Sequence, residues 1–411
     1  MNQERPEPGR TSPQETRIPH QSYPAIFLRF LRFGLLAWGG PVAQIAMIKR
    51  ELVEEQKWIS VERFNRALVV YQVLPGPEAH EICVYFGMLA RGRMGAILAG
   101  LGFMLPGFAL MFGLSWVYVR FGIASPAIAS AFVTVQAAVV ALIVRAVHRI
   151  GKHALGNGRL WAVGALAEAA QFFGVHFGIS LAFAGGAYAL VSHRRHGLAV
   201  ALTLLAAAGA VAYVLYAGPQ RPLTLVESGA LRTPSMLQLF LSGLSAGLFT
   251  FGGAYTAIPL LQKDAVTTGA WMTNRQFLDG LGLSGILPAP LIIFATFVGY
   301  IGGGPMGAVL ITIGIFLPAF SFTLIGHDFF GGVTHKPGIS AFLEGVTAGV
   351  VGLIAATTIG LFRAGVTSIV TIAVFAGALL VLYLWKEKWA VAMVIVASAI
   401  AGLLLSLQSR A

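Results

Sequence analysis

The sequence contains few charged residues. Only 11% of its 411 residues are charged and 57% are hydrophobic, with a mean hydropathy of +0.78, whereas a soluble domain carries about 25% charged residues. So few charges cannot cover a surface that faces water, which excludes a soluble globular protein. Lipid must be the main solvent of this chain, and the composition predicts an all-α integral membrane protein.

The signatures of several chemistries are missing. The chain has one cysteine, Cys83, in an apolar segment, which excludes intramolecular disulfides and cysteine metal clusters. Neither a metal-ligand spacing such as H-E-x-x-H nor a phosphate-binding loop of the form G-x-x-x-x-G-K-[ST] occurs. We therefore expect no catalytic residues, no metal, no other cofactor and no ATP hydrolysis by the chain itself.

Acidic residues are fewer than basic ones, at 16 against 28, which gives a net charge of +12. In a soluble protein this excess would suggest nucleic acid, but no loop here is long enough for a domain that reads it. Basic residues collect in the cytoplasmic loops of membrane proteins, and we expect Arg145, Arg149 and Lys152 to lie there. The polar residues 1–24 are predicted to form a short disordered cytoplasmic tail of a multi-pass protein in the bacterial inner membrane.

Apolar segments of a length that suits the bilayer occur about thirteen times along the chain. They are 26–48, 67–90, 94–119, 126–148, 159–175, 177–192, 197–217, 236–260, 278–301, 306–326, 339–362, 365–384 and 389–407.

The chain also contains an internal duplication. Its Gly, Pro and Trp positions recur in order: Leu35–Gly40 aligns with Leu248–Gly253, Trp58 with Trp271, Pro75 with Pro288, Pro77 with Pro290, and Pro106 with Pro318. The first repeat is predicted at 25–196 and the second at 236–408, with a linking membrane segment and loop at 197–235. Seven segments precede the second repeat, so the two homologous halves are predicted to have inverted topology, a common transporter design.

Four segments are broken at matched places. The first to fourth breaks carry Gly39-Gly40-Pro41, Pro75-Gly76-Pro77, Gly252-Gly253 and Pro288-Ala289-Pro290. Proline removes a backbone donor and clashes with the preceding turn, and lipid tolerates such a break only where protein or a water-filled cavity satisfies the freed groups. Interrupted segments at corresponding positions of two halves point to a transport site.

Charge favours broken segments that enter the membrane and return over segments that cross it. If all thirteen crossed, the basic loop 49–66 would lie outside, against the positive-inside rule. If the four broken segments return, that loop stays inside. The same loop contains Glu51, Glu54, Glu55 and Glu62, so an amphipathic surface helix is an alternative for it.

The motifs at the breaks are long and ordered. The first half contains F-G-L-L-A-W-G-G-P-V-A at 33–43, W-I-S at 58–60 and L-P-G-P-E-A at 74–79, and the second contains T-F-G-G-A-Y at 250–255, F-L-D-G-L-G at 277–282 and P-A-P-L-I at 288–292. Over about 27–363 the sequence resembles the long-chain chromate ion transporter family. Trp38 stands where the family motif has Phe, Gln44 where many members have His, and Ala289 where the second P-G-P has Gly.

The resemblance implies a secondary transporter that exports chromate, driven by an ion gradient, and that makes the host cell resistant to it. Chromate and sulfate are tetrahedral dianions, which free backbone N–H groups at helix starts can bind. We therefore predict a substrate site at the breaks, formed by Gly39, Gly40, Pro41, Gln44, Pro75, Gly76, Pro77, Gly252, Gly253, Pro288 and Pro290. The alternative is that these residues only permit kinks and close helix packing.

Arg29 and Arg32 share a helix face because they are three residues apart, and their repeat counterparts are Ser242 and Ser245. They are candidates to bind the dianion, since guanidinium groups suit oxyanions. The alternative is that they extend to the cytoplasmic interface.

Glu78 and His80 follow the second break, and their counterparts Leu291 and Ile293 are apolar. Ionisable groups inside a membrane are costly and usually functional, and a charged Glu78 would repel a bound dianion. We predict that Glu78, and with less support His80 and Glu81, carries the proton that couples proton entry to anion exit. A carboxylate that caps a helix start is the alternative.

Three other functions stay open on the sequence alone. Sulfate or another oxyanion would fit the same features as chromate. A membrane-embedded enzyme would need a catalytic cluster at one interface, and a scaffold subunit would not need broken segments in both halves. Glycine-rich helix faces would also allow a homodimer, which nothing in the sequence requires.

Overall fold

The structure is a computed structural model that describes residues 18–122, 125–172, 175, 177–217, 231–251, 253–326, 337–385, 387 and 389–408. Within these ranges the regular structure is helical and contains no strand. The all-α prediction is therefore confirmed, while most of the predicted tail and residue Gly252 lie outside the described residues.

The α-helices are α1 Tyr23–Leu35, α2 Gly40–Ile48, α3 Val61–Val73, α4 Glu78–Phe121, α5 Pro126–Ala154, α6 Gly158–Phe172, α7 Phe177–Ser192, α8 His196–Ala217, α9 Met236–Leu248, α10 Ala257–Gln262, α11 Asn274–Gly285, α12 Phe294–Gly326, α13 Pro337–Gly365, α14 Ile369–Leu384 and α15 Ala390–Gln408. Two π-helical segments, Lys49–Glu55 and Lys263–Thr268, extend α2 and α10. Two short 3₁₀ turns, Ala254–Thr256 and Leu291–Ile293, precede α10 and α12.

The first broken segment folds back on itself. Glu51, beyond the end of α2, pairs with Arg29 at 3.4 Å and with Arg32, both on α1. Residues of α2 and its π-helical extension rise 1.5 Å each or less, so a chain that continued straight would carry Glu51 far from α1. The two arms therefore form a helical hairpin whose turn is the first break.

The second broken segment is also a hairpin. Aromatic pairs join α3 to the start of α4, with Phe64 stacked on Phe86 at 6.2 Å and Tyr71 against Tyr85 at 5.8 Å. The later residue of α3 contacts the earlier residue of α4, so the two arms run antiparallel around the second break.

The helix α4 turns sharply at Arg91 and Gly92, whose φ/ψ values are −157°/40° and 59°/−155°. A side-chain carbon at Gly87 would lie 2.3 Å from the Gly95 carbonyl oxygen, which brings the two arms of α4 into direct contact. The turn agrees with the predicted boundary between the segments at 67–90 and 94–119.

Matched positions of the second half have the same local geometry. Gly303 and Gly304 turn α12 with φ/ψ values of −146°/24° and 60°/−152°, and Gly299 meets Gly307 as Gly87 meets Gly95. Helix α1 packs on α4 where a side-chain carbon at Gly34 would overlap the Phe103 carbonyl oxygen, and α9 packs on α12 where one at Gly247 would overlap the Ile315 carbonyl oxygen. The aligned glycines are thus contact points between helices in both halves.

Within the described residues, five helices are long and apolar enough to cross a membrane by length and composition: α4, α5, α12, α13 and α15. Helix α5 packs against α13, α14 and α15, and α13 also packs against α6 and α7. Large apolar side chains such as Leu384 and Ile369 are exposed on the outside of this assembly, as expected for a surface in contact with lipid. The fold is that of a multi-pass membrane protein.

Candidate functional site

The helix starts after the four breaks differ from those before them. Each arm that leads to a break begins with a hydroxyl cap: Ser22, Ser60, Ser235 and Thr273 accept hydrogen bonds from backbone N–H groups of α1, α3, α9 and α11. Each arm that follows a break begins without a side-chain cap, at Gly39, Pro77, Gly253 and Pro290. Backbone N–H groups at an uncapped helix start lie at the positive end of the helix and attract anions.

Three of the breaks are in contact. The Gly76 N–H donates to the Thr250 carbonyl oxygen at 2.8 Å, which joins the second break to the residue before the third. The turn Ala254–Thr256 packs against Leu291–Ile293, which joins the third break to the fourth. Turns from both halves therefore meet at one place in the fold.

Reciprocal contacts relate the two halves at this meeting place. A side-chain carbon at Gly107 would lie 2.6 Å from Cβ of Ala289, and one at Gly76 would lie 3.2 Å from Cβ of Ala319. Gly107 aligns with Ala319 and Gly76 with Ala289. Each of the two contacts is therefore the counterpart of the other with the halves exchanged, as across an approximate two-fold axis.

The first break has a different environment. Gln44 is fully buried and its Nε2 donates to the Ala37 carbonyl oxygen at 2.9 Å. Ala37 aligns with Thr250. The Ala37 carbonyl oxygen that accepts from Gln44 therefore corresponds to the Thr250 carbonyl oxygen that accepts from the Gly76 N–H. Trp38 packs on Trp389, with ring centres 4.5 Å apart.

Arg149 faces the second and third breaks. It lies on α5, is exposed, and is close enough to interact electrostatically with Glu78 and with Tyr255. Arg145 on the preceding turn also interacts with Tyr255. An anion in front of the starts after the second and third breaks would thus meet a guanidinium group as well as backbone N–H groups.

The sequence analysis missed this arginine. The predicted apolar segment 126–148 includes Arg145 and ends before Arg149, and both arginines were expected on the cytoplasmic side, whereas α5 continues to Ala154. A signal was present, because Arg145 and Arg149 are four residues apart and share one helix face.

His80 and Glu81 are completely buried. The ring of His80 lies 4.7 Å from that of Phe320 and 4.9 Å from that of Phe316. Neither nitrogen of His80 and neither carboxylate oxygen of Glu81 has a hydrogen-bond partner among the described residues. Glu78 is less buried and lies one turn closer to the second break.

Arg29 and Arg32 contact protein groups that the sequence analysis had not paired with them. Arg29 donates to Gln56 Oε1 at 2.7 Å and lies over the Trp58 ring at 5.4 Å, in addition to its ion pair with Glu51. These interactions stabilise the first hairpin. Substrate contact by Arg29 and Arg32 stays a prediction.

A further polar cluster surrounds Asp279 on α11. The buried carboxylate of Asp279 accepts a hydrogen bond from Tyr118 at 2.7 Å and another from Gln136 at 2.8 Å. These bonds tie α11 to α4 and α5. The contacts give Asp279 a structural role.

With this geometry established, comparison with known proteins gives a clear result. A family model described as chromate transporter matches residues 24–226 and 237–403. The chain belongs to the chromate transporter family. The breaks, their uncapped helix starts and Arg149 all lie within the matched residues, so the site described above is part of the family region.

Relatives match along nearly the whole chain. It is 54% identical over 402 residues to a chromate transport protein of Pseudomonas aeruginosa, covering 97% of this chain and 96% of the relative. It is 30% identical over 388 residues to a chromate transport protein of Cupriavidus metallidurans, covering 92% of each. An uncharacterized transporter of Methanocaldococcus jannaschii is 28% identical over 394 residues, covering 92% of this chain and 94% of the relative. No solved structure matches the chain.

Proposed function

We propose that this chain is a secondary transporter that exports chromate across the inner membrane and thereby confers chromate resistance. The observation that supports this most directly is the contrast between capped helix starts before the breaks and uncapped starts after them. Four helix starts without a side-chain cap inside a membrane protein offer backbone donors to a ligand that accepts hydrogen bonds. The names of the relatives point to chromate as that ligand.

The substrate site would lie where the second, third and fourth breaks meet. Backbone N–H groups after Pro77 and Gly253 donate to the oxyanion, and Arg149 supplies a delocalised positive charge that suits a tetrahedral dianion. Such groups recognise charge and shape, so sulfate would compete. Gly39, Gly40, Pro41 and Gln44 of the first break belong to the route that the anion follows to this point.

Proton movement would be coupled to chromate through Glu78. This carboxylate interacts with Arg149, the same group that would attract the substrate. When Glu78 is ionised it competes with chromate for Arg149, and when it is protonated it leaves Arg149 free. Proton binding and anion binding at this place would therefore favour each other, which couples the two in the same direction and not in the exchange expected from the sequence. The inside-negative membrane potential would then drive the net negative charge of chromate and one proton outward.

We further propose that the repeats at 25–196 and 236–408 have opposite orientations in the membrane. The four hairpins would enter the bilayer and return. The second arm of α4 and helices α5, α6, α7 and α8 would then cross before the second repeat, and this odd number inverts it. The reciprocal Gly107–Ala289 and Gly76–Ala319 contacts support a two-fold axis between the halves.

Transport itself is tested by chromate flux. Inverted membrane vesicles that contain the chain should accumulate radiolabelled chromate when a pH gradient is imposed, and excess sulfate should reduce the accumulation. Vesicles without the chain are the control. Accumulation of sulfate but not of chromate would refute chromate as cargo, and absence of flux for both anions would refute the transport function.

Glu78→Gln should remove the dependence of chromate flux on the pH gradient, because an amide cannot exchange a proton. Flux driven by a chromate gradient alone should remain. Glu344→Gln is the matched control, because Glu344 is an exposed carboxylate on α13 whose hydrogen-bond partner is Ser340. Unchanged gradient dependence in Glu78→Gln would reassign Glu78 to a structural role.

The orientation of the hairpins can be measured with thiol labelling in a Cys83→Ala background. Glu55 and Thr268 occupy aligned, exposed positions after the first and third breaks. We expect Glu55→Cys to react only with reagent on the cytoplasmic side and Thr268→Cys only with reagent outside. Full crossings would give the opposite pattern for both, and labelling of both from one side would contradict inversion.

A further inference from the structure

A cavity of about 370 Å³ lies between α9 and the π-helical segment Lys263–Thr268. Its polar lining residues are Gln238, Ser242, Ser245, Asp264, Thr268 and Trp271, and Gly269 also lines it. It is separate from the meeting place of the breaks, because it lies along the arms of the third hairpin and not at its turn.

In the first half, side chains fill the space that corresponds to this cavity. The positions that correspond to Ser242, Ser245, Asp264, Gly269 and Trp271 are Arg29, Arg32, Glu51, Gln56 and Trp58. There, two guanidinium groups contact Glu51, one of them also lies over the Trp58 ring at 5.4 Å, and Trp58 Nε1 donates to Gln56 Oε1 at 3.0 Å. Every polar group of that cluster has a partner nearby.

The second half keeps the carboxylate and the indole of this cluster and loses the rest. Both arginines are replaced by serines, and the glutamine is replaced by Gly269. Trp271 Nε1 is left without a hydrogen-bond partner among the described residues, although only 3% of this residue is exposed. The hydroxyl of Ser242, a residue that is 5% exposed, has the Asp264 carboxylate beside it. Buried polar groups without partners are unfavourable, and a ligand in the cavity would supply them.

The Asp264 carboxylate at the cavity favours a cationic ligand. Asp264 lies beside Ser242. Lys263 interacts with Asp264 electrostatically, but its ammonium group is directed to the Phe177 ring at 5.4 Å. The Asp264 carboxylate is therefore available to a ligand from the cavity side, and the Trp271 ring offers a face on which a planar cation stacks.

We propose that this cavity is a binding site for a small guanidinium compound. The guanidinium group would donate to Asp264 and lie over Trp271, as Arg29 does over Trp58 in the first half. An acceptor atom on the same compound would satisfy Trp271 Nε1. The volume accommodates this, because the missing arginine and glutamine side chains of the first half define the space.

Guanidinium ion at millimolar concentration is the probe, with sodium at equal ionic strength as the reference. For the purified full-length chain in detergent, we expect the melting temperature to rise by about 2–4 °C when guanidinium is present at roughly five times its Kd. Asp264→Asn should abolish the rise, because it removes the charge. Ser242→Arg should abolish it too and should melt higher without ligand, because the new side chain occupies the site.

Glu344→Gln on α13 is the matched control, since it neutralises a carboxylate away from the cavity and should keep the full response. Isothermal titration of the wild-type chain and of both cavity variants provides an independent measurement. An equal response of the wild-type chain and Asp264→Asn, or no response of the wild-type chain, would overturn the proposal. Because the readout is binding and not flux, a negative result leaves the proposed transport function untouched.

Discussion

Replacing Arg149 with glutamine is expected to reduce chromate transport by about 30- to 1000-fold. The guanidinium group faces the starts after the second and third breaks, where it interacts with Glu78 and Tyr255. Chromate bound there would cover the exposed guanidinium group, and loss of one partner of a close charge pair costs about 2–4 kcal/mol. The effect should appear mainly as a higher KM for chromate, measured by initial flux in vesicles that contain equal amounts of protein.

Two further variants distinguish a substrate contact from a general loss of positive charge. Lys152→Gln removes a charge from the same end of α5 at an exposed position, and it should transport normally. Arg149→Lys keeps the charge but loses the planar donor group, so its activity should be intermediate. If Arg149→Gln transported as well as Lys152→Gln, Arg149 would have no role in binding the anion.

The location of Arg149 shows why sequence patterns missed it. A hydropathy window ends a membrane segment at the first cluster of charges. The predicted segment therefore ended at 148, and Arg149 fell outside it. The helix does not end there, because α5 has favourable packing against α13, α14 and α15. Whether a charged residue near a helix end faces solvent or a binding site depends on tertiary contacts that a one-dimensional window does not contain.

The breaks, in contrast, could be predicted well. Glycine and proline act on their own backbone, so the interruptions at Gly39-Gly40-Pro41 and Pro75-Gly76-Pro77 follow from local stereochemistry. Gly34 and Gly247 occupy aligned positions, and a side-chain carbon at either would overlap a carbonyl oxygen of the neighbouring helix. What the breaks contact could not be predicted, since the Gly76–Thr250 hydrogen bond joins residues from different repeats.

The pairing of Arg29 with Glu51 could be predicted only in part. Both residues were noted, one as a substrate or interface residue and the other as part of a surface loop. Their contact required the segment to fold back, and the charge pattern favoured that only weakly over a full crossing. Once the hairpin is formed, opposite charges on its two arms meet at 3.4 Å, and the ion pair then stabilises the hairpin that brings it about.

The substitution Gly40→Leu is expected to abolish chromate transport without preventing insertion into the membrane. Gly40 has a φ of +78° at the uncapped start of α2, and a Cβ there would meet nothing within 4 Å. A leucine therefore adds no clash with the protein, and its cost to folding is the backbone strain of about 1–2 kcal/mol for a side chain at positive φ. Its side chain would instead occupy the space in front of the free N–H groups, where the anion is proposed to pass.

Gly92→Leu separates blockage from strain. Gly92 also has a positive φ, of +59°, and a Cβ there also meets nothing within 4 Å, but it lies at the turn of α4, away from the breaks. Both variants add the same side chain at a positive φ, and the strain at Gly92 is no smaller, because its ψ of −155° lies in a region nearly confined to glycine. Flux in vesicles should be lost in Gly40→Leu and kept in Gly92→Leu, with equal protein in both membranes. Equal loss in the two variants would mean that strain, and not occupation of the first break, stops transport.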